Sequence, residues 1–212
     1  NKKDRLMKAL FVHDHIFYTD GKQFYSDKLP YESWLRYLKN FGELIVFGRS
    51  KLDIEKTKQI SISSGDKVKF EIGKSLNSIK SLVLYKNKER KKLEKLIENS
   101  DILIARNSMY GNMAIKIAQK LNKPYILEIV SCPFNSLWNY GSLKGKLVAP
   151  ISKYNLKKIA FTSKYVHYVS QSFLQASYPS AKNAIVEKIS NVEIPRLENE
   201  VLENRLDKIK QS

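Results

Sequence analysis

The stretch from Asp101 to Val130 constrains the fold more than any other part of this chain. Asp101 to Arg106 (DILIAR) is a short apolar run without alternation, the pattern of a strand buried on both faces. Asn107, Ser108 and Gly111 lead from it into a segment with Met113, Ile117 and Leu121 at four-residue spacing, which marks one face of a helix. Asn122-Lys123-Pro124 closes that helix, and Tyr125 to Val130 (YILEIV) reads as the next strand. Strand, loop, helix, short turn and strand again is the unit of a doubly wound, mostly parallel α/β sheet.

The same grammar recurs on both sides. Lys8 to His13 reads as a first buried strand, followed by a long polar and aromatic loop through Tyr18-Thr19-Asp20-Gly21. A helix is expected over Tyr31 to Phe41, with Trp34, Leu35, Leu38 and Phe41 on one face and Gly42 as its C-cap, before a strand at Leu44 to Gly48. Lys67 to Ile72 alternates as a half-exposed strand does, Leu82 to Tyr85 suits a helix turn or a short strand, and Lys86 to Glu98 reads as a charged helix burying Leu93, Leu96 and Ile97. Ser131 to Gly145 reads as a long loop. A basic helix is expected from about Ile151 to Tyr165, then a strand near His167 to Val169, a helix with Phe173 and Leu174 inward that Pro179 closes, and a last strand within Ile185 to Ile194.

At 212 residues the chain suits one large domain. Hydrophobic residues at 42% and charged residues at 28% argue against disorder. Its longest apolar runs fall far short of a membrane span, no signal-peptide pattern is present, and the single Cys132 suits a reducing cytoplasm. The net charge of +17 is the strongest compositional signal. It implies attraction to nucleic acid, anionic lipid or phosphorylated substrate, unless it reflects lysine-rich residue usage alone.

In open parallel sheets ligands bind beyond the carboxyl ends of the strands, so the loops after His13, Arg106 and Val130 are where function should converge. His13, Asp14 and His15 invite a metal reading, but no Cys or third nearby His completes a ligand set, and no metal is expected. By its residues alone Asp20-Gly21 suits a turn. Arg106-Asn107-Ser108, with Tyr110 and Gly111 opening a helix, would bind an anion or sugar hydroxyls, while Ser108 alone suits an N-cap. Arg106 at a buried strand end needs a partner. Glu128 inside YILEIV is costly unless paired, and Ser131, Trp138 and Asn139 follow it.

On the basic helix, Lys153, Lys157 and Lys164 project together beside Tyr154, Phe161 and Tyr165, with Leu156, Ile159 and Val166 towards the core. A lysine row beside an aromatic row suits the surface of an anionic membrane. Lys86 to Lys95 raises a nucleic-acid reading, but the interleaved Glu89 and Glu94 suit a solvated helix, and no nucleic-acid module, Walker loop or G-x-G-x-x-G is present.

Tyr168 to Pro179 (YVSQSFLQASYP), followed by Ser190-Asn191-Val192, resembles the end of the N-terminal domain of bacterial GT-B glycosyltransferases, in particular the retaining family-4 type that builds capsular and other surface polysaccharides. Glu128-Ile129-Val130, then Pro133 and Trp138-Asn139-Tyr140-Gly141, is similar to the same enzymes. Many relatives of this fold carry a histidine where this chain has Val130-Ser131, so no catalytic side chain is assigned. The resemblance implies a Rossmann-like half of a GT-B fold: an acceptor-binding domain over 1–195, with 196–212 as a linker or helix towards a C-terminal donor-binding domain. It further implies metal-independent transfer from a nucleotide sugar to a lipid-linked saccharide or polysaccharide acceptor, without a cofactor, at the inner membrane surface. Asp20, Gly21, Arg106, Asn107, Ser108, Glu128, Ser131, Trp138 and Asn139 are the expected substrate contacts, and no nucleic-acid partner is implied. The paired glutamates of the donor-binding domain are missing here, so this chain alone is expected to be inactive. Half of a nucleotide-sugar epimerase of the same fold is the alternative, and a module binding nucleic acid or an anionic surface is another.

Overall fold

In the computed structural model, residues 6–52, 60–76, 78–139 and 142–189 are described. The expectations for Tyr140-Gly141, Ser190-Asn191-Val192 and residues 196–212 lie outside them. Among the described residues nine strands form one sheet: β1 Lys8–Thr19, β2 Phe24–Ser26, β3 Glu43–Lys51, β4 Ser61–Ile62, β5 Val68–Ile72, β6 Ile102–Arg106, β7 Tyr125–Ile129, β8 Tyr165–Tyr168 and β9 Ile185–Lys188. The helices are α1 Glu32–Leu38, α2 Ile79–Glu98, α3 Met109–Lys120, α4 Pro133–Asn139, α5 Leu143–Thr162 and α6 Phe173–Ser177.

Seven strands run parallel in the order β5-β3-β1-β6-β7-β8-β9, the doubly wound Rossmann-like arrangement. The chain starts in the middle, builds outward to β5, returns through α2 and builds outward again. Between β1 and β6 the winding therefore reverses. Alternation along β1 separates two cores. Leu10 and Val12 join the larger one with residues of α2, α3, α5 and α6, while Ala9 and Phe11 join the smaller one around Trp34 and Tyr37 of α1.

β1 departs from expectation by continuing to Thr19. Between the pairs Val12↔Phe47 and Ile16↔Arg49, His13, Asp14 and His15 stand opposite the single Gly48, so the strand bulges and then resumes pairing. A Cβ on Gly48 would lie 2.6 Å from the Phe17 ring, so only glycine lets the resumed strand lie flat there. Beyond the end of β6, β1 turns at Asp20-Gly21, with Gly21 at φ 88°, into the antiparallel ribbon β2–β4.

Further expectations are corrected. Leu35 is exposed and Tyr37 takes the inward place on α1, which ends at Leu38 rather than at Gly42. Ser131 to Gly145 is not one loop: Pro133 opens α4, and the Ser142 hydroxyl accepts from Gly145 N at 3.0 Å to cap α5, which runs through Pro150. Glu89 is buried, not solvated, and Phe173 is exposed while Leu174 fills the core. Finally, α5 ends at Thr162, where Ser163 turns extended, so Lys164 precedes β8 and Tyr165 lies in it. The helical wheel holds for Lys153 and Lys157 but not for Lys164.

Candidate active-site edge

The winding reversal places the ends of β1, β6 and β7 side by side. Asp14, carried by the bulge, sends its carboxylate to the first turn of α3, accepting from Met109 N at 2.9 Å and from Tyr110 N at 3.0 Å. The Ser108 hydroxyl accepts from Gly111 N at 3.0 Å. The first helix amides are thus occupied from within the chain, and Ser108 is the N-cap of α3. Burial raises the Asp14 pKa, against the lowering influence of Tyr110 N and of Arg49, whose guanidinium donates to the Asp14 carbonyl at 2.9 and 2.6 Å. Gly111 is required by proximity, since a Cβ there would fall 1.8 Å from the Arg106 carbonyl oxygen.

Asn107 ties the two central loops together. Its Oδ1 accepts from Val130 N at 2.9 Å and its Nδ2 donates to the Ser131 carbonyl at 3.1 Å. Beyond this tie Ser131, Trp138 and Asn139 are exposed, and Trp138 stacks on Phe134 with centroids 5.3 Å apart. Asn107, Ser108 and Ser131 line one end of a groove of about 1110 Å³ that runs over the outer face of α3 between α2 and α5. Its floor includes Met113 and Leu156, and Lys86, Arg90 and Lys116 stand along it.

Arg106 and Glu128 are a pair in register across β6 and β7, and His167 on β8 follows in the same row. Arg106 Nε donates to Glu128 Oε2 at 2.8 Å, and Tyr37 OH donates to Oε1 at 2.8 Å. His167 Nδ1 lies 3.7 Å from Oε1, an ion-pair distance rather than a hydrogen bond. Burial pushes the Glu128 pKa up, but His167, Arg106 and Tyr37 outweigh it and hold the carboxyl down at about 2. This network faces α1, the opposite side of the sheet from the groove. The sequence flagged Arg106 and Glu128 but missed Tyr37, whose role follows only from the packing of α1.

His13 is held neutral, with burial first among the causes that push its pKa down to about 3, and its Nδ1 has no partner among the described residues. His15 Nε2 lies 2.7 Å from the Ser26 hydroxyl and burial lowers its pKa to about 4. No group of three or more His, Cys, Asp or Glu among the described residues is placed to hold a metal. Asp20 sits at the ribbon's turn, where its carboxylate accepts from Lys22 N, Gln23 N and Tyr25 OH, so the turn itself accounts for Asp20 and Gly21. Lys153 is half-buried with its ammonium 5.1 Å from the Phe134 ring, while Lys157 and Lys164 are exposed.

No family model matches this chain. Among curated proteins it is 33% identical over 174 residues to Protein CapJ of Staphylococcus aureus, covering 82% of this chain and 44% of that protein. Among solved structures, the UDP-N-acetylglucosamine 2-epimerase from Rickettsia bellii superposes with a TM-score of 0.49 at 16% identity, over 98% of this chain and 50% of that one. A glycosyltransferase from Rickettsia africae gives 0.43 at 15%, over 97% and 50%. A ugt transferase from Siraitia grosvenorii in complex with UDP gives 0.46 at 10%, over 94% and 54%. The chain thus spans less than half of its curated relative and about half of these structures. No helix among the described residues is long and apolar enough to cross a membrane.

Proposed function

We propose that this chain is the N-terminal, acceptor-binding half of a GT-B glycosyltransferase of the retaining family-4 type, acting in surface-polysaccharide assembly. Residues 1–195 form the acceptor domain, and 196–212 lead to a second domain that binds the nucleotide sugar. The acceptor is a lipid-linked saccharide or polysaccharide at the inner face of the membrane. One observation carries the reading: Asn107 pins the loops after β6 and β7 together, leaving Ser131, Trp138 and Asn139 exposed along the edge where the winding reverses. A second domain set against that edge would complete a cleft. The likeness to CapJ, a protein more than twice as long as the matched region, is consistent with such a domain.

In this reading Ser131, Trp138 and Asn139 contact acceptor hydroxyls and sugar faces. Asn107 and Ser108 position them, and Arg106 with Glu128 supports the strand ends from behind. Asp20 and Gly21 stand off this edge on the ribbon and enter only as its outer rim. Calorimetry of the 212-residue chain with uridine and guanosine diphosphate sugars is the test. Absence of submicromolar binding is expected, because the donor-binding glutamates are missing, and submicromolar binding of any of them overturns the half-enzyme reading. In the protein extended past residue 212, Trp138→Ala should raise KM for the acceptor by about tenfold with little change in kcat.

A further inference from the structure

We propose that α5 lies along an anionic lipid bilayer with its outer apolar stripe inserted into the boundary between headgroups and hydrocarbon. The helix has two apolar faces. Ala149, Leu156, Ile159 and Ala160 are buried against the sheet. On the other side Leu143, Leu147, Ile151, Tyr154 and Phe161 fall within roughly 80° of arc at the helical repeat. All five are exposed, Leu143 at 81% and Leu147 at 76%. A stripe running the length of a twenty-residue helix and left bare exceeds the scattered apolar exposure of an ordinary surface.

Charge identifies what covers it. α5 carries five lysines and no acidic residue. By the same repeat Lys146, Lys153 and Lys157 flank the stripe on one side and Lys144 on the other, while the exposed Lys158 falls within its arc between Leu147 and Ile151, a place from which a lysine reaches the headgroups along its own apolar stem. Lysine is depleted at protein–protein interfaces, whereas a collar of lysines around leucine, isoleucine and aromatic side chains is the composition of an interfacial membrane helix. The α4 aromatics stand on the lysine flank, with Lys146 Nζ 6.0 Å from the Trp138 ring and Lys153 Nζ 5.1 Å from that of Phe134. The first turn of α5 lies close after Ser131, Trp138 and Asn139 in the chain. A headgroup-borne acceptor would therefore reach the loops proposed to bind it while its chain stayed in the bilayer. The inference deepens the reading above by naming the surface that carries the acceptor. It is tested without any sugar, so either can fail alone.

The chain has two tryptophans, Trp34 fully buried and Trp138 45% exposed, so a fluorescence change on binding reports Trp138. Vesicles of phosphatidylglycerol and phosphatidylcholine should sediment with the 212-residue chain, and brominated acyl chains should quench Trp138, whereas pure phosphatidylcholine should bind weakly. Leu147→Asn with Ile151→Asn alters only exposed positions and should weaken partition by about tenfold or more, with the thermal midpoint kept. Lys153→Glu with Lys157→Glu should also weaken it, and Lys164→Glu, off the helix, should not. Binding that salt abolishes and that never quenches Trp138 would mean adsorption by charge alone and overturns the insertion. A dimer in solution that the Asn pair converts to monomer, with no vesicle binding, assigns the stripe to a second copy and also overturns it. So does binding by this chain that is lost in the protein extended by its second domain.

Discussion

Arg106 Nε and Glu128 Oε2 stand 2.8 Å apart across β6 and β7, closed off by Tyr37 on one side and by the Phe11 ring, 5.0 Å from the guanidinium carbon, on the other. A buried pair of this kind contributes little net stability when intact, but breaking it strands a charge. Glu128→Gln should therefore destabilise the chain by about 3 kcal/mol, read from denaturant midpoints. In the extended enzyme, turnover per folded molecule should be retained. Lost turnover at unchanged stability would move Glu128 into the cleft.

Asp14→Ala removes the carboxylate that caps α3 and should cost about 1–2 kcal/mol. It also frees the amides of Met109 and Tyr110. Sulfate should consequently stabilise the variant against heat more than it stabilises the parent chain. Equal shifts in both would show that these amides do not receive an anion.

Gly111→Ala should be more damaging than its single methyl suggests. The added carbon would meet backbone, the Arg106 carbonyl oxygen at 1.8 Å, not a side chain that can swing away. A loss of about 3 kcal/mol or failure to fold is expected, at the upper end for overpacking. A midpoint within error of the parent would show that the β6–α3 turn can relax.

The three histidines give the pH dependence opposing signs. Burial lowers His13 to about 3 and His15 to about 4. Their stabilising contribution is complete above the unfolded value near 6.5 and is lost as pH falls towards the folded values. The contact with Glu128 raises His167, so its contribution is present below the unfolded value and lost as pH rises through the folded one. Two outweigh one. Stability should fall by about 1 kcal/mol or more between pH 7.5 and 5.5. His13→Gln with His15→Gln should flatten that slope and His167→Gln should steepen it, both measured by urea titration.

The sequence made the parallel strands legible because each is a short apolar run bounded by turn residues, as at Ile102–Arg106 and Tyr125–Ile129. Three of its misreadings have separable reasons. The hydrophobic alternation of β1 breaks at the His13–His15 bulge, so the strand looked finished where it only kinks. The basic helix is expected only from about Ile151, yet α5 begins at Leu143 and continues through Pro150, with buried Gly145 and Ala149 before the proline and Leu156 and Ile159 after it. Phe173 looked like core by hydrophobicity, but a five-residue helix buries one face and Leu174 occupies it. At the site, Arg106 and Glu128 stood out as charges in apolar strands. The capture of α3 by Asp14 did not, because no local pattern records a bond across 95 residues.

That bond sets an order of events. A helix whose first amides are held by its own cap can form alone, but Met109 and Tyr110 receive their acceptor only once β1 has been laid beside β6. The first turn of α3 is then among the late features of folding, gated by a non-local strand pairing whose loop closure is slow. In the native protein it is a gauge of sheet integrity at the winding reversal. Amide exchange at Met109 and Tyr110 should track opening of the β1–β6 pair, while amides further along α3 report the helix itself.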